Sequence, residues 1–328
     1  MKVLVITNMW PSKERPHWGA FVKSQADSLA AAGCENTLYE IKGWHHTSEY
    51  LRALVELPRV ARDCGAELVH AHFGLSGTAA LRVKLPLVVS FCGDDLLGRP
   101  DATGRMTLKS RLLIPVSLVA ARRAHGVIVK TEEMRRVIAD VPGVHVIPNG
   151  VNLSRFQPQP RDAARAALGW RSAGQVLLFA AKPSESRKNW PLADAACRLL
   201  AARGLDVRLE AMYGRPQADM VRAMNAADVL LLPSYHEGSP NVVKEAMAVN
   251  LPVVAAPVGD CAELLRDVSH SFVVPHSPQA FADAAAAALA SGARSNGREV
   301  IERRLSVESV AQRVLAVYGE AKSRFHGR

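Results

Sequence analysis

Two glutamates are notable for their spacing and for their place in the chain. Glu237 and Glu245 are eight residues apart, and an apolar run typical of a buried strand, residues 227–232, comes just before them. Between them, Ser239 and Pro240 are typical of a helix N-cap and a first helical residue. On a helix this spacing corresponds to about 12 Å along the axis and roughly 80° around it. We therefore predict two separate contacts along an elongated ligand, with a helix N-terminus between them as a phosphate site.

The sequence around these glutamates resembles a known family. Gly-Ser-Pro-Asn lies inside the spacing and Glu-Ala-Met ends it, while Ala-Asp-Val-Leu-Leu-Leu-Pro-Ser precedes it and Pro-Val-Val-Ala-Ala follows. This combination is similar to the donor-site signature of bacterial retaining glycosyltransferases of family 4, also called group 1. For the spacing taken alone, the alternative is an amphipathic helix with two surface glutamates. The resemblance implies an α/β protein of the GT-B fold, with two doubly wound Rossmann-like domains and an interdomain cleft.

The resemblance also implies roles for the residues of this stretch. Glu245 is expected to accept hydrogen bonds from the ribose hydroxyls of a UDP- or GDP-linked sugar donor. Glu237 is expected to hold the transferred sugar and to take part in catalysis. The intervening turn is expected to contact the sugar and the distal phosphate through Gly238, Ser239, Pro240 and Asn241.

A cluster of cations follows the first predicted strand of the second half of the chain. Lys182 and Lys188 are six residues apart, with Arg187 beside the latter. Relatives usually carry Arg and then Lys at this spacing, often followed by Gly, whereas this chain has Lys182 and Asn189. Lysine keeps the charge but loses the bidentate geometry of a guanidinium. We expect Lys182 and Lys188 to neutralise the leaving diphosphate in place of a metal ion, with Arg187 as a further donor contact; a solvated basic loop is the alternative.

Two segments of the first half carry further candidate contacts. Gly19 stands where a helix is predicted to begin, so it is either a donor contact or a turn glycine. Cys92 occupies a position where many relatives have a histidine that contacts the transferred sugar, and a thiol cannot act as an imidazole. Asp94 and Asp95 are expected to bind acceptor or sugar hydroxyls, or else to cap the following turn.

Composition limits the class of protein. The chain has 328 residues, a formal net charge of +10 and five cysteines without a Cys-x-x-Cys pair. This cysteine pattern favours a reducing compartment and argues against a disulfide framework or a zinc site. No apolar stretch approaches the ~18 residues of a membrane span. The positive charge favours polyanions, among them phosphorylated substrates and anionic lipid headgroups.

Strand-like and helix-like segments alternate through the chain, which predicts parallel sheets in an α/β architecture. We predict an acceptor-side domain over residues 1–155 and a donor domain over residues 156–304, with a linker at Gln157-Pro-Gln-Pro. The helical segment 307–322 is expected, by the family resemblance, to pack back on the first domain. Ligands of such sheets bind at the carboxyl ends of the strands.

The leading hypothesis is a metal-independent, hexosyltransferase-like enzyme that transfers a sugar to an acceptor hydroxyl with retention. Its acceptor would be a sugar or a lipid-linked sugar in polysaccharide or glycolipid synthesis. It is expected in the cytoplasm, peripheral on the inner face of an anionic membrane, without cofactor or nucleic acid. A nucleotide-sugar epimerase of the same fold and a non-catalytic degenerate transferase are the alternatives. The sequence leaves the oligomeric state, sugar, base and acceptor open.

Overall fold

A computed structural model describes residues 1–43, 46–99 and 105–327 of the chain. They form two parallel sheets within two compact units. The first unit consists of Met1–Gly150 together with the C-terminal segment from Val307, and the second is Val151–Ser306. The predicted α/β class with two Rossmann-like sheets is therefore confirmed.

The first unit contains a six-stranded sheet in the order β2-β1-β3-β4-β5-β6, in which every pair of neighbours is parallel. Its strands are β1 (Lys2–Thr7), β2 (Glu35–Glu40), β3 (Leu68–His72), β4 (Leu87–Ser90), β5 (Gly126–Val129) and β6 (Val144–Val146). The helices between them are α1 (Ala20–Ala31), α2 (Ser48–Asp63), α3 (Gly74–Ala79), α4 (Leu108–Arg123) and α5 (Glu132–Val137). The chain changes its direction of winding between β1 and β3, so the loops after these strands lie at the switch point.

The second unit contains a five-stranded parallel sheet in the order β11-β10-β9-β7-β8. Its strands are β7 (Gln175–Phe179), β8 (Val207–Ala211), β9 (Val229–Leu232), β10 (Val253–Ala255) and β11 (Phe272–Val273). Its helices are α6 (Arg161–Leu168), α7 (Trp190–Ala202), α8 (Gln217–Ala226), α9 (Asn241–Ala248), α10 (Cys261–Leu264), α11 (Pro278–Ala290) and α12 (Gly297–Arg304). Its switch point lies between β7 and β9.

The first sheet is covered on both faces, as the continuous apolar runs of its strands require. Side chains alternate across a strand, and β1 illustrates the result. Leu4 and Ile6 belong to one hydrophobic cluster, whereas Val3 and Val5 belong to another on the opposite face. Helices α2, α3 and α4 adjoin one another in series within the first unit.

The C-terminal helix α13 (Val307–His326) is part of the first unit. Val314 and Val317 join the cluster that contains Val3 and Val5. The hydroxyl of Tyr318 lies 2.6 Å from Nδ1 of His70 on β3, a buried hydrogen bond across 248 residues of sequence. The helix is thus fixed to the first sheet by apolar packing and by this polar contact.

The predicted linker at Gln157-Pro-Gln-Pro is wrong, because this segment is bonded to the second unit. The buried amide of Asn225 on α8 donates to the carbonyl of Gln157 at 3.0 Å and accepts from the N–H of Gln159 at 2.7 Å. The chain instead leaves the first unit at Gly150. A side-chain amide that satisfies both backbone groups gives this proline-rich segment a fixed place.

None of the helices in the described part of the chain is long and apolar enough to cross a bilayer.

Candidate functional site

The switch point of the second sheet brings together two loops that are distant in sequence. Strands β7 and β9 are hydrogen-bonded neighbours, with Leu177 opposite Val229. Because the strands are parallel, the loops that follow them, residues 180–189 and 233–240, emerge at the same edge of the sheet. Both predicted clusters, the cations and the glutamate turn, are on these loops.

The centre of this edge is a buried ion-pair cluster around Glu237, whose exposed fraction is 9%. Lys188 Nζ donates to one carboxylate oxygen at 2.6 Å, and Arg187 donates to the other at 3.0 Å. Arg187 also donates to the carbonyl of His236 at 2.8 Å and pairs with Glu185 at 3.0 Å. Burial opposes ionisation of Glu237, but the charges of Lys188 and Arg187 outweigh it and hold the pKa of the carboxyl below its ordinary value.

Asn189 explains how the cation loop reaches this position. Its backbone is left-handed, with φ of 56°, and it precedes helix α7 at Trp190. Asparagine is among the residues that adopt this conformation most readily after glycine, so it fits a turn position that favours glycine. Its side-chain amide donates to the carbonyl of Pro233 at 3.2 Å, and the N–H of Tyr235 donates to the carbonyl of Arg187 at 2.9 Å. These bonds join the two loops.

Lys182 lies outside the Glu237 cluster. Its side chain is exposed, and its ammonium is 6.0 Å from the centre of the Tyr213 ring, just after β8. The structure therefore places Lys188 and Arg187 together and leaves Lys182 at the rim of the same loop.

The turn over residues 238–241 is supported from below by a lysine and an aspartate. Lys244 is fully buried, and its ammonium donates to the Ser239 hydroxyl at 2.9 Å. That hydroxyl in turn donates to the carboxylate of Asp260 at 2.7 Å. Burial raises the pKa of Asp260, and Lys244 and Ser239 offset part of this effect.

The prediction of Ser239 as N-cap is wrong. Helix α9 begins at Asn241, Pro240 occupies the N-cap position, and no side chain caps the helix. The Ser239 hydroxyl is instead held between Lys244 and Asp260. First-turn N–H groups of a helix have no partner within it, so the absence of a capping side chain leaves this end open to an anion.

Gly259 explains why the loop after β10 can support the turn so closely. Its φ is +54°, and a Cβ atom there would lie 1.9 Å from the carbonyl oxygen of Gly238. No other residue fits this approach, because any side chain would overlap the backbone of the turn.

Glu245 is the fifth of the eight residues of α9 and is partly buried. Burial raises the pKa of its carboxyl to about 7, although the charges of Lys244 and Arg155 act in the opposite direction. The carboxyl thus titrates near neutral pH. A ligand that donates hydroxyl hydrogen bonds favours its ionised form.

In the first unit, Gly19 has a backbone requirement of its own. It precedes α1 with φ of 68°, and a Cβ atom would lie 2.3 Å from the carbonyl oxygen of Met9. Both facts explain a glycine at this position through local geometry. They place it in the loop after β1, at the switch point of the first sheet.

The two aspartates predicted as hydroxyl contacts have different surroundings. Asp95 is buried and accepts hydrogen bonds from the N–H groups of Gly74, Cys92 and Gly93 at 2.9 to 3.2 Å. Burial raises its pKa to about 6, against these bonds. Asp95 therefore holds the loops after β3 and β4 together, whereas the Asp94 side chain is exposed. The Cys92 thiol is partly buried, and burial raises its pKa, which disfavours the reactive thiolate.

Sequence reasoning missed Lys244, Asp260 and Lys130. Lys130, at the end of β5, is buried with its ammonium 3.4 Å from the carbonyl of Ile147, and burial lowers its pKa. A signal existed for Lys244, since its other buried neighbours on α9, Val243 and residues 246–248, are all apolar. Asp260 and Lys130 give no comparable signal, because each directly follows a strand or turn where polar residues are ordinary.

Comparison with known proteins identifies relatives along most of the chain. Residues 2–155 match the family described as Glycosyltransferase Family 4, and residues 178–291 match Glycosyl transferases group 1. A D-inositol 3-phosphate glycosyltransferase of Xylanimonas cellulosilytica is 30% identical over 314 residues, which cover 79% of this chain and 73% of that protein. TuaC of Bacillus subtilis, a glycosyltransferase assigned to teichuronic acid biosynthesis, is 26% identical over 348 residues, covering 87% and 88% of the two chains.

Solved structures share the fold. A sucrose-phosphate synthase of Thermosynechococcus elongatus superposes with a TM-score of 0.78 at 18% identity, covering 98% of this chain and all of that one. HepE of Anabaena, solved in complex with UDP, superposes with a TM-score of 0.70 at 18% identity, covering 97% of this chain and all of HepE. At these identities the likeness concerns the fold.

Proposed function

This chain belongs to glycosyltransferase family 4, and from that membership we propose that it transfers a sugar from a nucleotide-diphosphate sugar to an acceptor hydroxyl with retention of configuration. The observation that carries the proposal is the Lys188–Glu237–Arg187 cluster at the switch point of the second sheet. It places two cations beside a turn that opens a helix, where a diphosphate binds most favourably.

The donor diphosphate binds by replacing Glu237 as a partner of the cations. In the structure Lys188 and Arg187 both donate to that carboxylate, and Arg187 also pairs with Glu185. A diphosphate offers more acceptor oxygens and more charge, and its negative charge grows as the sugar–phosphate bond breaks. Cations already fixed in place stabilise this charge without further reorganisation. Lys182, at the rim of the same loop, supplies an additional positive charge, and no metal ion is needed.

Glu237 then has a second role toward the sugar. Once the cations contact phosphate, its carboxylate can accept hydrogen bonds from sugar hydroxyls next to the turn at residues 238–241. Lys244 and Asp260 hold this turn from below through Ser239. The carboxylate of Glu245 accepts hydrogen bonds from the ribose, which identifies the nucleotide end of the donor, UDP- or GDP-linked.

The acceptor belongs to the first unit in this proposal. The exposed carboxylate of Asp94 and the neighbouring Cys92 contact the acceptor or the transferred sugar, and Gly19 is a further candidate contact through its backbone. The assignment of TuaC to teichuronic acid biosynthesis supports a role in cell-surface polysaccharide or glycolipid synthesis. Together with the net charge of +10, it supports a cytoplasmic enzyme peripheral on the inner face of the membrane.

The test compares a diphosphate with a monophosphate. Calorimetric titration of UDP, GDP and ADP first identifies the preferred base. Lys188→Ala is then expected to weaken binding of the diphosphate by about 10- to 100-fold, equivalent to about 1.5–3 kcal/mol for a charged hydrogen bond, and to weaken the monophosphate less. Lys23→Ala, which removes an exposed lysine paired with Asp27, serves as the matched control. Equal loss for both nucleotides, or no nucleotide binding by the wild-type protein, contradicts the proposal.

A turnover assay separates transfer from the alternatives. The preferred nucleotide sugar, labelled in the sugar, is incubated with and without a bacterial lipid extract as acceptor. Transfer predicts label in the extract with the anomeric configuration of the donor. Release of nucleotide without acceptor, with an altered free sugar, indicates an epimerase instead.

A further inference from the structure

Helix α4 exposes its large apolar residues. Leu108 and Leu112 have exposed fractions of 71% and 64%, and Val116 and Val119 are also exposed. Their spacing of four, four and three residues places all of them on one face of the helix. This α4 face extends from residue 108 to residue 119, or about 16 Å along the axis.

The fully buried residues of the same helix are small. They are Ser110, Ser117, Ala120 and Ala121. They allow very close packing on α3, since a Cβ atom at Gly74 would lie 2.2 Å from the Ser117 hydroxyl. An ordinary surface helix buries its large apolar residues and exposes its polar ones. In α4 Leu113, Ile114 and Leu118 are partly buried, and Leu118 packs against the core of the unit. The four residues of the α4 face are exposed in addition to these, so they are not part of the packed side of the helix.

Basic residues border the α4 face, and the helix contains no Asp or Glu. Lys109 and Arg111 lie about 100° and 60° to either side of Leu108 around the axis, and both are exposed. Arg122 and Arg123 end the helix and are exposed as well, although Arg122 pairs with Asp140 at 3.2 Å. An apolar centre with a cationic border is the pattern of helices that lie in the interface of anionic membranes.

We propose that the α4 face docks the enzyme on an anionic lipid bilayer, with Leu108, Leu112 and Val119 inserted among the acyl chains and Lys109 and Arg111 at the headgroups. The exposed Leu51 and Val55, one turn apart on α2, provide a second apolar contact. The inference deepens the peripheral location proposed above and does not depend on the donor site.

A second copy of the chain fits this face less well. In a symmetric dimer the same patch meets itself, so the basic borders of the two copies would face each other. Like charges held together across an interface are strongly unfavourable, and the helix offers no acidic residue to relieve them. Anionic lipid provides the opposite charge together with an apolar interior.

The test is co-sedimentation with vesicles in the absence of any sugar donor. Vesicles of phosphatidylcholine alone are compared with vesicles that contain about 30% phosphatidylglycerol, whose anionic headgroups attract basic side chains. We expect binding to the anionic vesicles that weakens in high salt. Leu108→Ser with Leu112→Ser is expected to reduce the partition coefficient at least about tenfold, and Lys109→Glu with Arg111→Glu to remove the dependence on phosphatidylglycerol.

The matched control is Val137→Ser, which changes an exposed apolar residue on α5 of the same unit and is expected to bind as the wild type does. Nucleotide affinity and melting temperature of each variant show that the second unit and the fold are intact. Equal binding to both vesicle types, or equal binding by wild type and the double serine variant, overturns the proposal. Concentration-dependent self-association that the serine variant abolishes, without vesicle binding, overturns it in favour of a second copy.

Discussion

Replacement of Glu245 by glutamine tests the ribose contact, because this carboxyl titrates near neutral pH. Its pKa is raised by burial from 4.5 to about 7. Below pH 7 most of the ligand-free protein carries a neutral Glu245, whereas accepting two hydrogen bonds from ribose hydroxyls favours the carboxylate. We therefore expect nucleotide affinity in the wild type to rise with pH between 6 and 8, and Glu245→Gln to lack this component.

The magnitude follows from the pKa. At pH 6 about a tenth of the carboxyl is ionised and at pH 8 about nine tenths, so the component of the affinity that requires the carboxylate changes about tenfold over this range. At pH 8 loss of the charge-assisted bonds is expected to cost about 1.5–3 kcal/mol, or about 10- to 100-fold in Kd. The ratio of the Kd values of Glu245→Gln and the wild type should therefore be about tenfold smaller at pH 6 than at pH 8.

The assay is calorimetric titration of the preferred nucleoside diphosphate at pH 6, 7 and 8 and constant ionic strength. The phosphate groups titrate in the same range, but they do so equally for both proteins, so the difference between the two Kd values isolates Glu245. A difference that stays constant with pH, or identical Kd values at pH 8, would refute the assignment of this residue to the ribose.

The stability of the ligand-free protein should fall with rising pH, whereas its nucleotide affinity rises. Because the folded-state pKa of Glu245 lies above its unfolded value, the favourable contribution of the protonated form is fully present below pH 4.5 and is lost as the pH rises through 7. Between these limits the loss amounts to about 3 kcal/mol at ~1.4 kcal/mol per pKa unit. Glu245→Gln should therefore unfold at higher denaturant concentration than the wild type at pH 8 and not at pH 4.5. A wild type that is the more stable at pH 8 contradicts the raised pKa.

Three further predictions concern the metal, a glycine and the support of the turn. Turnover is expected to survive exhaustive EDTA treatment, and loss of activity that manganese or magnesium restores would mean that an ion, not the cation loop, holds the diphosphate. Gly19→Ala is expected to destabilise the protein in chemical denaturation by more than Gly33→Ala. Both glycines have positive φ, so both substitutions should cost the ~1–2 kcal/mol of left-handed strain, but a Cβ atom at Gly33 has nothing within 4 Å. Any further loss at position 19 measures the clash with Met9, and equal losses would exclude such a clash. Lys244→Met is expected to cost about 3–5 kcal/mol because it leaves the buried carboxylate of Asp260 without its cation, and adding Asp260→Asn should recover part of that loss; additive effects of the two substitutions would mean that the residues do not interact.

The sequence by itself determined the class of fold and the position of the strands. The apolar run at residues 227–232 predicted a buried strand, and the structure has β9 at Val229–Leu232, because a strand buried on both faces needs such a run. It also determined the family, since the Glu-x7-Glu stretch is local in the chain. Even the replacement of glycine by Asn189 can be understood locally, through the left-handed backbone that both residues tolerate.

Only the tertiary structure decided which polar groups are available for ligands. Ser239 has the sequence of an N-cap, but its hydroxyl is taken by Lys244 and Asp260, which come from a helix interior and from the loop after β10. Asp94 and Asp95 are adjacent and alike in sequence, yet one is exposed and the other is buried among backbone N–H groups. Strand order and close packing decide which groups a side chain bonds with, because they bring together segments that are dozens of residues apart in the sequence. The same reasoning applies to the proposed lipid contact of α4. The close approach of α3 decides which side of α4 is buried, and the sequence of α4 alone does not.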